Sequence, residues 1–194
     1  MMFDFDENYW TDRYQKGYTG WDIGYPSTPI VQYLDQIQNK NLSILIPGAG
    51  NAHEAAYAFN SGLKNTHILD ISSIPLENFK SNFPDFDREK ILKGDFFEHS
   101  GSYDLILEQT FFCALPPQKR VDYCKKMQDL LSPEGRLVGV LFGVEFDRPG
   151  PPFGGSIENY QDLFSNYFTI ETLEPCVNSI PARQGTEVFV SLAH

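Results

Sequence analysis

Residues 43–56, SILIPGAGNAHEAA, run from an apolar stretch through two glycines into an alanine-rich segment. This is the most restrictive pattern in the chain, because it predicts a buried strand, a sharp turn and a helix in immediate succession. Glycine has no Cβ, so Gly48 and Gly50 permit the turn and let a ligand approach the backbone. The amides that follow lie at a helix N-terminus, where they lack intrahelical partners and can donate outward. The corner reads as a nucleotide-type turn and leaves the nucleotide open.

Around it, apolar runs alternate with helical stripes. LSILI (42–46), HILDI (67–71), KILK (90–93), YDLIL (103–107) and RLVGVLF (136–142) read as strands. Ile30, Leu34 and Ile37 follow Ser27, Thr28 and Pro29, a cap with proline at the first helical position. Ala52, Ala55, Ala56 and Phe59 make the next stripe, stopped by Gly62. Leu76, Phe79 and Phe83 follow a cap at Ser73, and Val121, Cys124, Met127 and Leu131 precede a stop at SPEG. Ile157, Tyr160 and Phe164 mark a last helix. Strands alternating with helices imply a parallel α/β sheet.

FTIETL (168–173) and TEVFVSL (186–192) complete the strands. The segment between them carries Pro175 and Pro181 and no helical stripe, so the final strand is expected to return antiparallel. The expectation is one Rossmann-like α/β domain over 28–194, with a seven-stranded, mostly parallel sheet, an antiparallel last strand and helices on both faces. Residues 1–27, aromatic and irregular, form an N-terminal extension. A chain of 194 residues suits a single such core.

Charge and composition remove several functions. With 15 Lys+Arg against 26 Asp+Glu, the net charge of −11 repels phosphate backbones, and no basic run offsets it; a nucleic-acid substrate is not expected. No segment approaches the ~18 apolar residues of a membrane span. The acidic start MMFDFDENYW lacks the basic region of a signal peptide. Cys113, Cys124 and Cys176 form no CxxC pair, which argues against a disulfide framework or zinc site and fits a reducing cytoplasm. No His/Cys/carboxylate cluster points to a metal.

Two readings compete at the corner. A dinucleotide turn needs a third glycine for close helix–strand packing, and His53 stands there instead. Asp70, with Ile71 at the end of the second strand, can accept from ribose hydroxyls of any adenosine ligand. Asp95 in KGDFF (93–97), beside Phe96 and Phe97, suits an adenine amine and ring face. Acids at two adjacent strand ends form the pattern of S-adenosylmethionine (SAM) enzymes.

YWTDRYQKGYTGWDIGYPSTP, LIPGAGNAHE, LDIS, EQTFFCAL and RPGPPFGGS together resemble the thiopurine S-methyltransferase superfamily, and look closest to its halide/thiol methyltransferase branch. The similarity runs from Trp10 to about Glu187. It implies a class I methyltransferase sheet and direct, metal-free methyl transfer from SAM to a small thiol, hydrosulfide, halide or thiopurine-like acceptor. By the resemblance, Trp10 and Trp21 lie beside the sulfonium in a segment that folds over the cofactor; alternatively they only anchor that lid. Gln109 and Thr110 are expected to approach the methionine part of SAM, and Phe111 to line the acceptor pocket. Thiopurine enzymes carry arginine where this chain has Gln109, which favours small soft nucleophiles.

Pro149 to Phe153 resemble the loop that covers the acceptor, with Phe153 as an apolar wall. Arg183 matches a family arginine whose fixed cation could attract an anionic acceptor; otherwise it is a surface residue. Glu145 and Asp147 are placed near the pocket, where they could take a thiol proton. Cys113 and the four histidines are given no role, and a monomer is the default. An NAD(P)-dependent oxidoreductase and a non-catalytic SAM-binding protein stay open as alternatives.

Overall fold

The computed structural model describes residues 5–194; the first four residues of the expected extension lie outside the described ones. β1 (Ile44–Pro47), β2 (Thr66–Asp70), β3 (Ile91–Lys93), β4 (Tyr103–Gln109), β5 (Leu131–Phe142), β6 (Thr169–Pro175) and β7 (Glu187–Ala193) form one sheet in the order β3-β2-β1-β4-β5-β7-β6. β1 to β5 pair in parallel, and β7 runs antiparallel to both β5 and β6. The architecture expected of the strand pattern is present, including the returning last strand.

Successive strand residues face opposite sides, and each side has its own helices. Ile44, Ile46, Ile68, Leu105, Leu107 and Val138 pack against α2 (Thr28–Asp35), α3 (His53–Asn60) and α4 (Ser73–Asn82). Leu45, Ile106, Leu137 and Leu141 face α5 (Arg120–Leu130) and α6 (Ile157–Phe164), through Tyr123, Met127, Tyr160 and Phe164. Each such large side chain stabilises the fold by about 1.5–3 kcal/mol on burial.

Four local expectations are corrected. The N-terminal extension is not irregular throughout: α1 (Glu7–Gln15) occupies much of it, capped by Asp6 accepting from the Tyr9 amide. β5 begins at Leu131, before SPEG; Leu131 pairs with Tyr103 and Arg136 with Leu105, so residues 132–135 bulge from a continuing strand. Val121 is exposed, and the buried stripe of α5 is Tyr123, Cys124, Met127 and Leu130. The caps are met only in part. Ser27 stands at the cap position of α2 as expected but makes no side-chain cap bond, and Pro29 is the second helical residue rather than the first; the cap position of α4 is Ser72 rather than Ser73.

The chain leaves β1 toward β2 and β3, then crosses to β4 on β1's other side. At that reversal the loops after β1 and β4 part, and a crevice opens beyond the strand carboxyl ends. Because β7 runs backwards, its first residue meets the same edge, with Glu187 opposite Phe142 at the end of β5.

Candidate active site

A cavity of about 1180 Å³ lies at this edge, somewhat larger than the ~300–1,000 Å³ usual for small-ligand clefts. Gly48 after β1, Asp70 at the end of β2 with Ile71 beyond it, and Asp95 and Phe96 after β3 line it. Thr110 and Phe111 after β4, Trp10 and Trp21 of the N-terminal segment, and Arg183 of the last connection complete the predicted residues on its wall.

The corner after β1 alternates left-handed residues: Gly48, Gly50 and Ala52 have φ of 57°, 54° and 55°. The space at these glycines, expected to admit a ligand, is taken by the protein's own side chains. A Cβ on Gly48 would lie 2.3 Å from Phe111 Cδ2, and one on Gly50 would lie 2.9 Å from the Tyr14 hydroxyl. The corner is tight so that Phe111 and Tyr14 can close in around the cavity.

Asp70 holds that corner from below. Its Oδ2 accepts from the Gly50 amide at 2.9 Å and its Oδ1 from the Ser72 amide at 2.8 Å. Burial raises its pKa despite these donors. A carboxylate has about four lone-pair sites, so acceptor capacity remains beside the cavity. Asp95 is exposed, and its Oδ1 accepts from the Phe97 amide at 2.9 Å, making it a turn cap as well as a wall residue. Phe96 is buried, its ring 5.0 Å from that of Phe111.

The two indoles meet edge to face with centroids 5.4 Å apart, and Tyr14 meets Trp21 at 5.7 Å. Tyr14, within the aromatic N-terminal extension and not nominated from sequence, also lines the cavity. Burial, and then the nearby Asp70, hold its hydroxyl well above the usual phenol range. Its legible signal was the i, i+4 spacing from Trp10 along α1.

The Trp-Asp-x-Gly stretch has a further purpose. Asp22 accepts from the Gly24 amide at 2.8 Å and from the Asn51 side-chain amide, and lies 2.8 Å from His53 Nε2. His53, given no role above, is therefore the tie between the N-terminal segment and the start of α3. Burial alone would raise the Asp22 pKa; the bonds from Gly24, Asn51 and His53 outweigh it and leave it lowered. Ser27 extends the link: its amide donates to Glu54 and its hydroxyl to Gln109 Oε1, both at 2.9 Å. Gln109 and Gly50 face a small side chamber of about 50 Å³, whose wall shares Trp21, Gly48 and Thr110 with the main cavity.

Glu108 sets the loop after β4. Its Oε1 accepts from the amides of Phe111 and Phe112 at 2.8 and 2.9 Å, and its Oε2 from the Tyr123 hydroxyl at 2.8 Å. Burial outweighs these donors and pushes its pKa up to about 7. Folding thus favours the protonated acid, a contribution complete below the ordinary 4.5 and lost as pH rises through about 7. Glutamine keeps the shape, with its oxygen for the two amides and its NH₂ for Tyr123. The stability of Glu108→Gln relative to wild type should therefore rise by about 3 kcal/mol across that range, read as a widening Tm difference. Parallel pH profiles would refute the buried titration.

Arg183 is not a surface residue. It is buried, with Nη2 donating to the Trp21 carbonyl at 2.8 Å and Nη1 lying 3.4 Å from Glu187 Oε1. Phe153 stays off the cavity wall. Its ring packs edge-on against Phe5 at 5.8 Å and its amide donates to the Cys113 carbonyl at 2.7 Å, while Pro151 and Pro152 face the cavity. Glu145 and Asp147 are exposed and do not line it. Arg120, stacked on Phe112 and Tyr160, donates to the Gly154 carbonyl at 2.7 Å and holds this loop down.

The chain resembles known proteins along nearly its whole length. The family model described as thiopurine S-methyltransferase matches residues 5–191. The chain is 31% identical over 169 residues to probable thiol methyltransferase 2 of Arabidopsis thaliana, covering 84% of this chain and 74% of the relative. It is 30% identical over 191 residues to thiocyanate methyltransferase 1 of Brassica oleracea, covering 94% and 83%. In fold it is similar to Burkholderia thailandensis 1,6-didemethyltoxoflavin-N1-methyltransferase, solved with bound S-adenosylhomocysteine, at a TM-score of 0.76, 17% identity and coverage of 96% and 86%.

Proposed function

Because this chain belongs to the thiopurine S-methyltransferase family, we propose that it methylates a small soft nucleophile such as a thiol, hydrosulfide, thiocyanate or halide. The protein is a SAM-dependent methyltransferase, which sets aside the oxidoreductase alternative. The observation that carries the acceptor reading is one cavity with the Asp70 carboxylate and paired indoles on its wall together with a buried arginine.

The residues present fit an adenosyl sulfonium. Asp70 has acceptor capacity left for ribose hydroxyls, and Asp95 with Phe96 offers an acceptor and an apolar face to adenine. Trp10 and Trp21 can face a positive centre, worth about 0.5–2 kcal/mol by cation–π attraction. Gly50, Gln109 and Thr110 frame the side chamber for the amino-acid end. Bound SAM supplies a methyl group activated by its sulfonium charge.

The chain's own contribution is alignment. A thiolate or halide is already a competent nucleophile, and holding reactants in line is worth roughly 7–11 kcal/mol. Residues 5–27 act as a lid, tied to the domain through Asp22 and Ser27 and to the last connection through the Trp21 carbonyl. A closed lid excludes water from the reacting centre. Arg183 offers its remaining N–H groups to the acceptor, beside Phe111. We assign the protein to a reducing compartment such as the cytoplasm, supported by three buried, unpaired cysteines; no helix among the described residues is long and apolar enough to cross a membrane.

The test is mass spectrometry of products after incubation with SAM and, separately, hydrogen sulfide, an alkyl thiol, thiocyanate and iodide. At least one methylated product is expected. No product from any, with SAM binding intact in calorimetry, would overturn the acceptor class.

A further inference from the structure

The acceptor end of the cavity holds a buried cation that is already answered. Arg183 and Glu187 are four residues apart across a single turn, with side chains 10% and 4% exposed, and form an ion pair at 3.4 Å. Arg183 lines the cavity and Glu187 does not, so the carboxylate lies behind the guanidinium. The register fixes that position: Glu187 opens β7 opposite Phe142, and the Arg183 guanidinium lies 5.7 Å from the Phe142 ring centroid. The Trp21 carbonyl takes another donor. Two fixed charges of opposite sign thus share a region where water cannot screen them.

We propose that Glu187 determines the charge preference of the acceptor site: by cancelling Arg183 from behind, it keeps the site receptive to uncharged thiols rather than selective for anions. Identification of this region as the acceptor end rests on the methyl-transfer reading above. Both charges reach the cavity wall at Cys113. Burial and then Glu108 raise that thiol's pKa, and beneath them Arg183 lowers it while Glu187 raises it. Arg148, also on the wall, is exposed and therefore screened. Glu187 touches no ligand in this scheme; it is a specificity-determining residue that acts through Arg183.

The experiment measures equilibrium affinity of the S-adenosylhomocysteine-saturated protein for thiocyanate, an anion, and for 2-mercaptoethanol, a neutral thiol. Glu187→Gln should bind thiocyanate about tenfold or more tightly than wild type, with 2-mercaptoethanol within about twofold. Glu187→Asp, which keeps the charge, should retain the wild-type ratio. Equal changes for both ligands, or an unchanged ratio in Glu187→Gln, would overturn the assignment.

Should Glu187→Gln not fold, the neutral double variant Arg183→Gln/Glu187→Gln decides against Arg183→Gln alone. Preference set by the pair's net charge predicts wild-type thiocyanate affinity in the double variant and a marked loss in Arg183→Gln. A double variant as weak as Arg183→Gln would show that the arginine alone holds anions, and would overturn the proposal. Wild-type turnover is measured in parallel: its absence counts against the acceptor reading, while the affinity ratios still decide Glu187.

Discussion

Asp70→Ala should weaken S-adenosylhomocysteine binding by about 2–4 kcal/mol, roughly 30- to 1,000-fold in titration calorimetry. Two losses combine. The carboxylate bridges the amides of Gly50 and Ser72, so its removal unties the left-handed corner from the start of α4. It also takes away the charged acceptor for a ribose diol. Burial raises the Asp70 pKa, and only the ionised group serves all of these donors. Wild-type affinity should therefore fall as pH drops through a pKa raised above the ordinary aspartate value, and the alanine variant should lose that dependence. An unchanged dissociation constant would remove Asp70 from the site.

Gly48→Ala should destabilise the protein by about 2–5 kcal/mol, adding the strain of a left-handed alanine to overpacking. For a chain of this size that is a Tm loss of roughly 5–15 °C. The new methyl would lie 2.3 Å from Phe111 Cδ2 and 3.0 Å from Phe111 Cβ. The whole ring must move, and Phe96 and Tyr123 already pack against it. The space left to it is the cavity, so S-adenosylhomocysteine affinity should also fall more than about tenfold. Adding Phe111→Ala should recover part of the binding. A variant with wild-type Tm and affinity would refute the account of why glycine stands there.

Much of the fold was legible because its cause is local. An apolar run such as Leu42 to Ile46 leads to a parallel strand once glycine and an alanine stripe follow it, and the stripe-less segment with Pro175 and Pro181 favours an antiparallel return. The acids after β2 and β3 were legible for the same reason. α1 was not, because its i, i+4 residues are aromatic and none is fully buried, so no aliphatic stripe marked it. Side-chain partners were the least visible. Asp22 with His53, Ser27 with Gln109 and Glu108 with Tyr123 are joined across 31, 82 and 15 residues. Periodicity carries no signal for such meetings. Phe153 and Arg183 show both outcomes: residues near a cover loop and a final connection could be nominated, but only packing turned one ring toward Phe5 and drew the other side chain inward.

The connection from Cys176 to Thr186 is held at its base, where the Cys176 amide donates to the Glu187 carbonyl at 2.9 Å, and its two flanking strands are paired along their length. Its interior meets the cavity through Ala182, Arg183 and Thr186, whereas Asp70, Asp95 and Gly48 come from the other half of the sheet. The cavity wall is thus drawn from two distant stretches of chain, joined where Arg183 donates to the Trp21 carbonyl. A transplant of this one turn between relatives, with Arg183 kept, should change acceptor preference more than it changes affinity for S-adenosylhomocysteine.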